Sequence, residues 1–358
     1  MNIYKRFVRP VAFRQDAESV HNKAVKLGSF LGRHWITRKL VSLLYSYENR
    51  KLETEVLGIK FRNPIGLAAG FDKNGLLTGI LPSLGFGFME IGSITGERCE
   101  GNPRPRLWRL PKDRAIAVNY GLCNDGAEAV ARRLQERKHR IPLAVSVAKT
   151  NDAGIKGRAS VEDYNKGFEL VKGIADFVVI NISCPNTGDG CSFEDPGLLS
   201  NLLRRINNKG RIVFLKLSID VDKKQVDEII ALARKHNICG FIIGNLSKKR
   251  EGLKSGREEV EKTRGGLSGD PAREKSNGLI KYVYRKTKGE FIIIGVGGVF
   301  TARDAYEKIK SGASLVQVLT GMIYEGPGVV KRINKGLVRL LEKDGYRNIA
   351  EAVGRGIG

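Results

Sequence analysis

The chain has 358 residues, 41% of them hydrophobic, and 62 Lys and Arg against 38 Asp and Glu give it a formal charge of +24. That length suits one large domain with an appendage, or two domains, around a sizeable core. The charge calls for anionic partners, but no nucleic-acid motif accompanies it and aromatics do not interleave with the basic runs, so nucleic acid is not expected.

No window of about 18 apolar residues occurs, which argues against a membrane-spanning helix. The N-terminus lacks the apolar core of a signal peptide. Cys99, Cys123, Cys184, Cys191 and Cys239 are odd in number and scattered. They predict a reduced, cytoplasmic chain, and with only four histidines no metal site is expected.

Residues 1–50 differ from the rest. Asp16 can cap a helix that carries Val20, Ala24, Leu27 and Leu31 at helical spacing. A break at Gly28 and Gly32 is expected before a second short helix with Leu40, Val41, Leu43, Leu44 and Tyr45, with Trp35 between the two. Lysines and arginines are interleaved throughout. Two basic amphipathic helices suit a membrane interface, or a hairpin packed on the main domain with a solvated basic face.

From residue 64 a cycle begins. Apolar, β-branched runs at 64–70, 88–94, 143–149, 176–183, 211–218, 240–246, 291–298 and 315–321 read as buried strands. Helical patterns fall roughly at 74–84, 124–138, 161–173, 195–208, 222–236, 271–287, 301–311 and 327–343. This alternation predicts an α/β (β/α)₈ TIM barrel with a small N-terminal helical domain, divided at 1–50 and 51–358. The alternative is an open doubly wound sheet. The connection 95–123 is long enough for an inserted lobe over the top face.

Such barrels place their sites at the C-terminal strand ends, where the unusual polar residues lie. Asp72 and Lys73 follow the first strand, Ser93 and Thr95 the second, and Ser146 and Lys149 the third. Asn181, Cys184 and Asn186 leave the fourth together, where Pro185 ends ladder pairing. Carboxamides at that point can hold a planar amide-and-carbonyl ligand, and Cys184 can take a proton. Lys216 lies inside the apolar fifth strand, so it must be ion-paired or aimed at something negative. Asn245 closes the sixth. The loops Gly265–Gly269, Gly295–Gly298 and Thr320–Gly321 can bring backbone N–H groups to a phosphate.

The segments LAAGFDKNG (67–75), GNPRPRLWRLPKDRA (101–115), NISCPNT (181–187), GGLSGDP (265–271), IIGVGGVF (293–300) and GASLVQVLTGMIYEGP (312–327) resemble dihydroorotate dehydrogenase over nearly the whole chain. The basic N-terminal helices and GNPRPRLWRLP resemble its membrane-associated, quinone-reducing class. The resemblance implies an FMN barrel that oxidises dihydroorotate to orotate in pyrimidine synthesis. It implies a peripheral position on the cytoplasmic side of the cell membrane. A monomer is expected.

The resemblance places Ala69, Gly70, Lys73, Ser93, Ser146, Asn181, Lys216, Gly244, Gly269, Gly298, Leu319 and Thr320 around FMN. It gives Lys73, Asn181, Asn186 and Asn245 to the substrate, with Cys184 as base and His21 and Arg109 at the quinone site. The chain departs from the family at several of these places. The quinone class usually has serine where Cys184 stands, whereas cysteine resembles the soluble class. Gapless matching puts Val118 where a ligand asparagine is expected, and Asn119 one position later is the expected substitute. The usual Asn-Thr-Thr is Asn245-Leu246-Ser247, Leu319 replaces a frequent tyrosine, and Ser146 a frequent asparagine. These departures keep open a soluble acceptor, fumarate or NAD, or a related FMN barrel acting on another pyrimidine.

Overall fold

Eight parallel strands close into a barrel in which each pairs with its sequence neighbours and the eighth pairs with the first. The structure, a computed structural model, describes residues 2–183 and 192–357. The strands are Ile65–Leu67, Phe88–Thr95, Leu143–Ala148, Phe177–Asn181, Val213–Leu217, Gly240–Ile243, Ile292–Val296 and Leu315–Val318. Every expected run supplies one. Their near-continuous apolar character follows from burial on both faces, helices outside and packed side chains within.

The lower half of the barrel is filled by aromatic rings. Phe88 packs edge-on against Phe61 at 5.6 Å, and Phe177 lies tilted against Phe214 at 5.3 Å. Phe61 comes from a hairpin, Thr54–Val56 with Ile59–Phe61, that plugs the bottom. Fully burying one such ring stabilises the fold by about 1.5–3 kcal/mol.

Seven of the eight expected outer helices form, from Ala127–Gln135 through Val329–Lys343. The expected helix at 74–84 is a loop ending in a short 3-10 turn, Leu81–Leu84. The loop winds on the buried Asp72 carboxylate, which accepts from the N–H groups of Leu77, Leu76 and Asn74 at 2.7, 2.9 and 3.4 Å. Gly75 takes a left-handed φ of +69° within that loop.

The connection after the second strand is a hairpin, Leu107–Leu110 with Ala115–Val118. Gly266–Gly269, from the connection after the sixth strand, adds to it antiparallel and makes a three-stranded sheet.

Before the barrel, short helical turns at Tyr4–Val8 and Arg9–Phe13 lead into two longer helices, Ala17–Arg33 and Trp35–Tyr45. Asp16 caps the first, its Oδ1 accepting from Ser19 N at 2.8 Å. The expected break at Gly28 and Gly32 is absent, and Trp35 opens the second helix instead of lying between the two. The glycines serve close packing. A Cβ on Gly28 would stand 2.7 Å from Leu77 Cδ2, and one on Gly32 3.0 Å from Ile80 N. The chain turns at His34, whose backbone is extended. The helix is also tied to the hairpin lobe: Arg106 Nη2 donates to Glu18 Oε1 at 2.8 Å, with both side chains buried.

Candidate active site

The top of the barrel opens into a cavity whose wall combines the strand ends, the hairpin lobe (Leu107, Ile116, Val118) and the N-terminal helix (His21). Of the residues expected around a cofactor, Ala69, Gly70, Lys73, Ser93, Asn181, Lys216, Gly244, Gly269, Gly298, Leu319 and Thr320 line it. A bulge in the pairing of the second strand with the third, between Ile91 and Ile94, brings Gly92 and Ser93 to the wall. Ser146 stands just behind, its Oγ 2.8 Å from Ser93 Oγ.

A polar chain continues around the rim. Asn181 Nδ2 donates to Ser93 Oγ at 2.9 Å, Ser183 Oγ to Asn181 Oδ1 at 3.2 Å, and Asn245 Nδ2 to Ser183 Oγ at 2.9 Å. These bonds set the rotamers of both asparagines at the ends of the fourth and sixth strands. Cys184 and Asn186 lie outside the described residues.

Lys73 faces this rim from the first loop. Its Nζ sits 4.0 Å over the Tyr120 ring and 3.4 Å from His21 Nε2. An ammonium only donates, so Nε2 accepts and the imidazole carries its proton on Nδ1. Burial pushes the Lys73 ammonium down to about 8. Burial, with the Lys73 charge beside it, holds His21 neutral down to about 3. His21 thus reaches the cavity wall from the N-terminal helix.

Two expected residues are placed elsewhere. Asn119 is not on the cavity wall; its Oδ1 accepts from Asn102 Nδ2 at 3.1 Å. Alternation along Ala115–Val118 turns Ile116 and Val118 inward, and the local shift that would bring Asn119 in does not occur. Arg109, also off that wall, donates to Gln15 O at 2.8 Å and stacks over Phe13. It clamps the lobe to the segment before the first helix.

Lys216 both lines the cavity and meets Glu90, 3.2 Å from its Oε1. Sequence reasoning passes over Glu90, Gln317, Tyr120 and Arg106. For Glu90 the signal was there: a carboxylate inside an apolar strand needs a buried partner as much as Lys216 does.

The residues present fit a flavin phosphate at one end of the cavity. Gly297, Gly298 and Gly269 adopt φ of +108°, +69° and +97°. A Cβ on Gly298 would meet Arg273 Cβ at 2.4 Å, and one on Gly269 Arg114 O at 2.3 Å. Only bare backbone fits there. Thr320 Oγ1 lies 2.9 Å from Ser268 Oγ at the same end.

Comparison with known proteins agrees with this geometry. The family model described as dihydroorotate dehydrogenase matches residues 51–341. A dihydroorotate dehydrogenase (quinone) of Nostoc punctiforme is 41% identical over 373 residues, covering 99% of this chain and 98% of that one. One from Gloeobacter violaceus is 39% identical over 361 residues, covering 99% of both. The crystal structure of DHODH from Eimeria tenella in complex with ferulenol superposes with a TM-score of 0.80 at 30% identity, covering 89% of this chain and 94% of that chain. The chain belongs to the dihydroorotate dehydrogenase family, whose members are flavoenzymes.

Proposed function

We propose that the chain oxidises dihydroorotate to orotate with FMN and passes the electrons to a quinone at a membrane surface, in the synthesis of pyrimidine nucleotides. The observation that carries this reading is the single cavity shared by the glycine cradle, the asparagine rim and His21 of the N-terminal helix. It supports a water-soluble substrate and a lipid-soluble acceptor meeting one cofactor.

Lys73, still mostly cationic at neutral pH, pairs with the substrate carboxylate. Asn181 and Asn245, fixed through Ser93 and Ser183, orient the ring amides. Cys184 takes the proton from C5. FMN, when bound, would accept the hydride leaving C6. Gly269, Gly298 and Thr320 hold its phosphate, and Lys216 faces its ring. Residues 1–50 form the quinone- and membrane-associated segment on a monomeric barrel of 51–358, on the cytoplasmic side of the cell membrane. No helix among the described residues is long and apolar enough to cross a membrane. Trp35, Leu43 and Leu44 are 64%, 70% and 64% exposed, and Leu27, Phe30, Ile36 and Leu40 are exposed with them. Flanked by Lys39, Arg38 and Arg33, they suit a helix pair lying in a lipid interface.

The test is anaerobic. Dihydroorotate added to the purified yellow protein should bleach its flavin band, and added quinone should restore it. In Cys184→Ala the bleaching should slow by roughly 10²–10⁴, with Cys184→Ser retaining more rate. A yellow protein that does not bleach would refute the substrate assignment.

A further inference from the structure

Beneath the cavity floor lies a buried charge that the proposed reaction does not use. Glu90, in the middle of the second strand, is 0% exposed. Its carboxylate accepts from Lys216 Nζ at 3.2 and 3.3 Å, from Gln317 Nε2 at 2.7 Å and from Ala69 N at 3.3 Å. These donors belong to the fifth strand, the eighth strand and the loop after the first, so one side chain ties four parts of the ring. Ala69, Lys216 and Gln317 all line the cavity.

The carboxylate decides what the floor presents. An ionised carboxylate only accepts, so Gln317 must turn its Nε2 toward Glu90, and its Oε1 points away. That Oε1 is buried and has no hydrogen-bond partner among the described residues. A buried acceptor left without a donor is unfavourable, which points to a ligand N–H. An ammonium has three protons to give, and the hydrogen bonds of Lys216 Nζ among the described residues both go to Glu90. The floor therefore offers an unused acceptor from Gln317 and a spare donor from Lys216, held by one carboxylate. A planar ring with an N–H next to a carbonyl, such as the pyrimidine-type edge of a flavin, satisfies both.

We propose that Glu90 is a positioning residue for the flavin. It aims Gln317 Oε1 and the Lys216 ammonium at that ring edge. By standing against the ammonium, it also weakens the attraction of Lys216 for a negatively charged reduced ring, which lowers the flavin's midpoint potential. The inference rests on the FMN reading above.

The test uses the full-length holoenzyme. Flavin content of the wild type is measured first: a chain that carries none and cannot be loaded defeats the FMN reading itself. Glu90→Gln keeps shape and removes charge. The midpoint potential, read against reference dyes at neutral pH, should rise in this variant. Reduced flavin should gain about tenfold in affinity relative to oxidised flavin, which is about 30 mV for a two-electron couple. In a Lys216→Met background the same substitution should produce no rise, because the effect passes through the ammonium. An unchanged potential, or an equal rise without Lys216, overturns the proposal, and a purely structural role predicts one of those two results. Should Glu90→Gln not fold, Gln317→Leu decides. It keeps the ion pair and should weaken binding of FMN to the apoprotein about tenfold with the circular dichroism unchanged; undiminished affinity overturns the proposal.

Discussion

His21 Nε2 stands 3.4 Å from Lys73 Nζ, so a helix that precedes the barrel hydrogen-bonds to a lysine on the barrel's own cavity wall. Both groups are shifted well below their ordinary values, and the two shifts have separate consequences.

Lys73 titrates near 8 because burial disfavours its cation. Below that value it attracts an anionic ligand; above it the lysine is neutral and the attraction fades. The affinity for orotate, measured by flavin perturbation, should be level up to about pH 8 and then fall, approaching tenfold per unit. Lys73→Met should bind orotate weakly and with no such break.

His21 is neutral in the folded chain down to about 3, whereas an unfolded chain protonates it near 6.5. The unfolded state therefore holds the extra proton between those values, and stability falls as pH drops through that window by up to about 1.4 kcal/mol per unit. Above 6.5 the contribution is fully present. His21→Gln should flatten the dependence of Tm on pH between 6.5 and 4; an unchanged slope would place the acid sensitivity elsewhere.

Gly79 packs directly against the helix Ala17–Arg33. A Cβ there would lie 2.6 Å from Gly32 O, a backbone atom that cannot turn aside. Gly79→Val should cost about 1–3 kcal/mol of stability and lift the helix from its seat. Quinone reduction should fall far more than flavin reduction by dihydroorotate, as separate half-reaction rates would register.

Leu43 and Leu44 are exposed apolar side chains on a basic helix. If they enter lipid, each contributes about 1.5–3 kcal/mol. Leu43→Asp with Leu44→Asp should abolish cosedimentation with anionic vesicles and leave Tm in solution within a degree or two. Equal vesicle binding by the variant would sink the membrane reading.

The barrel was legible because its strands are buried on both faces and so appear as unbroken β-branched runs, with helices spaced evenly between them. The failures were local. The 74–84 segment has helical spacing, but Gly75 stands at a left-handed φ of +69° that a right-handed helix does not accommodate. Gly28 and Gly32 look like breaks in the sequence because a glycine's signal is the same for a bend and for close contact. Lys216 stands out as an anomaly in its strand more plainly than Glu90 does, although each is the other's reason for being tolerated. The position of Asn119 depended on where a strand ends, which one residue of register decides. The pairing of Gly266–Gly269 with Ala115–Val118 spans about 150 residues and leaves no periodic trace.

That last pairing bears on how the protein is made. The N-terminal helices, the hairpin lobe and the first five strands leave the ribosome while the wall contributed by Gly266–Gly269 has yet to be synthesised. Gly298 and Thr320, also on the cavity wall, come later still. A nascent or prematurely terminated chain lacks these parts of the wall, so under the proposed function it should retain no flavin.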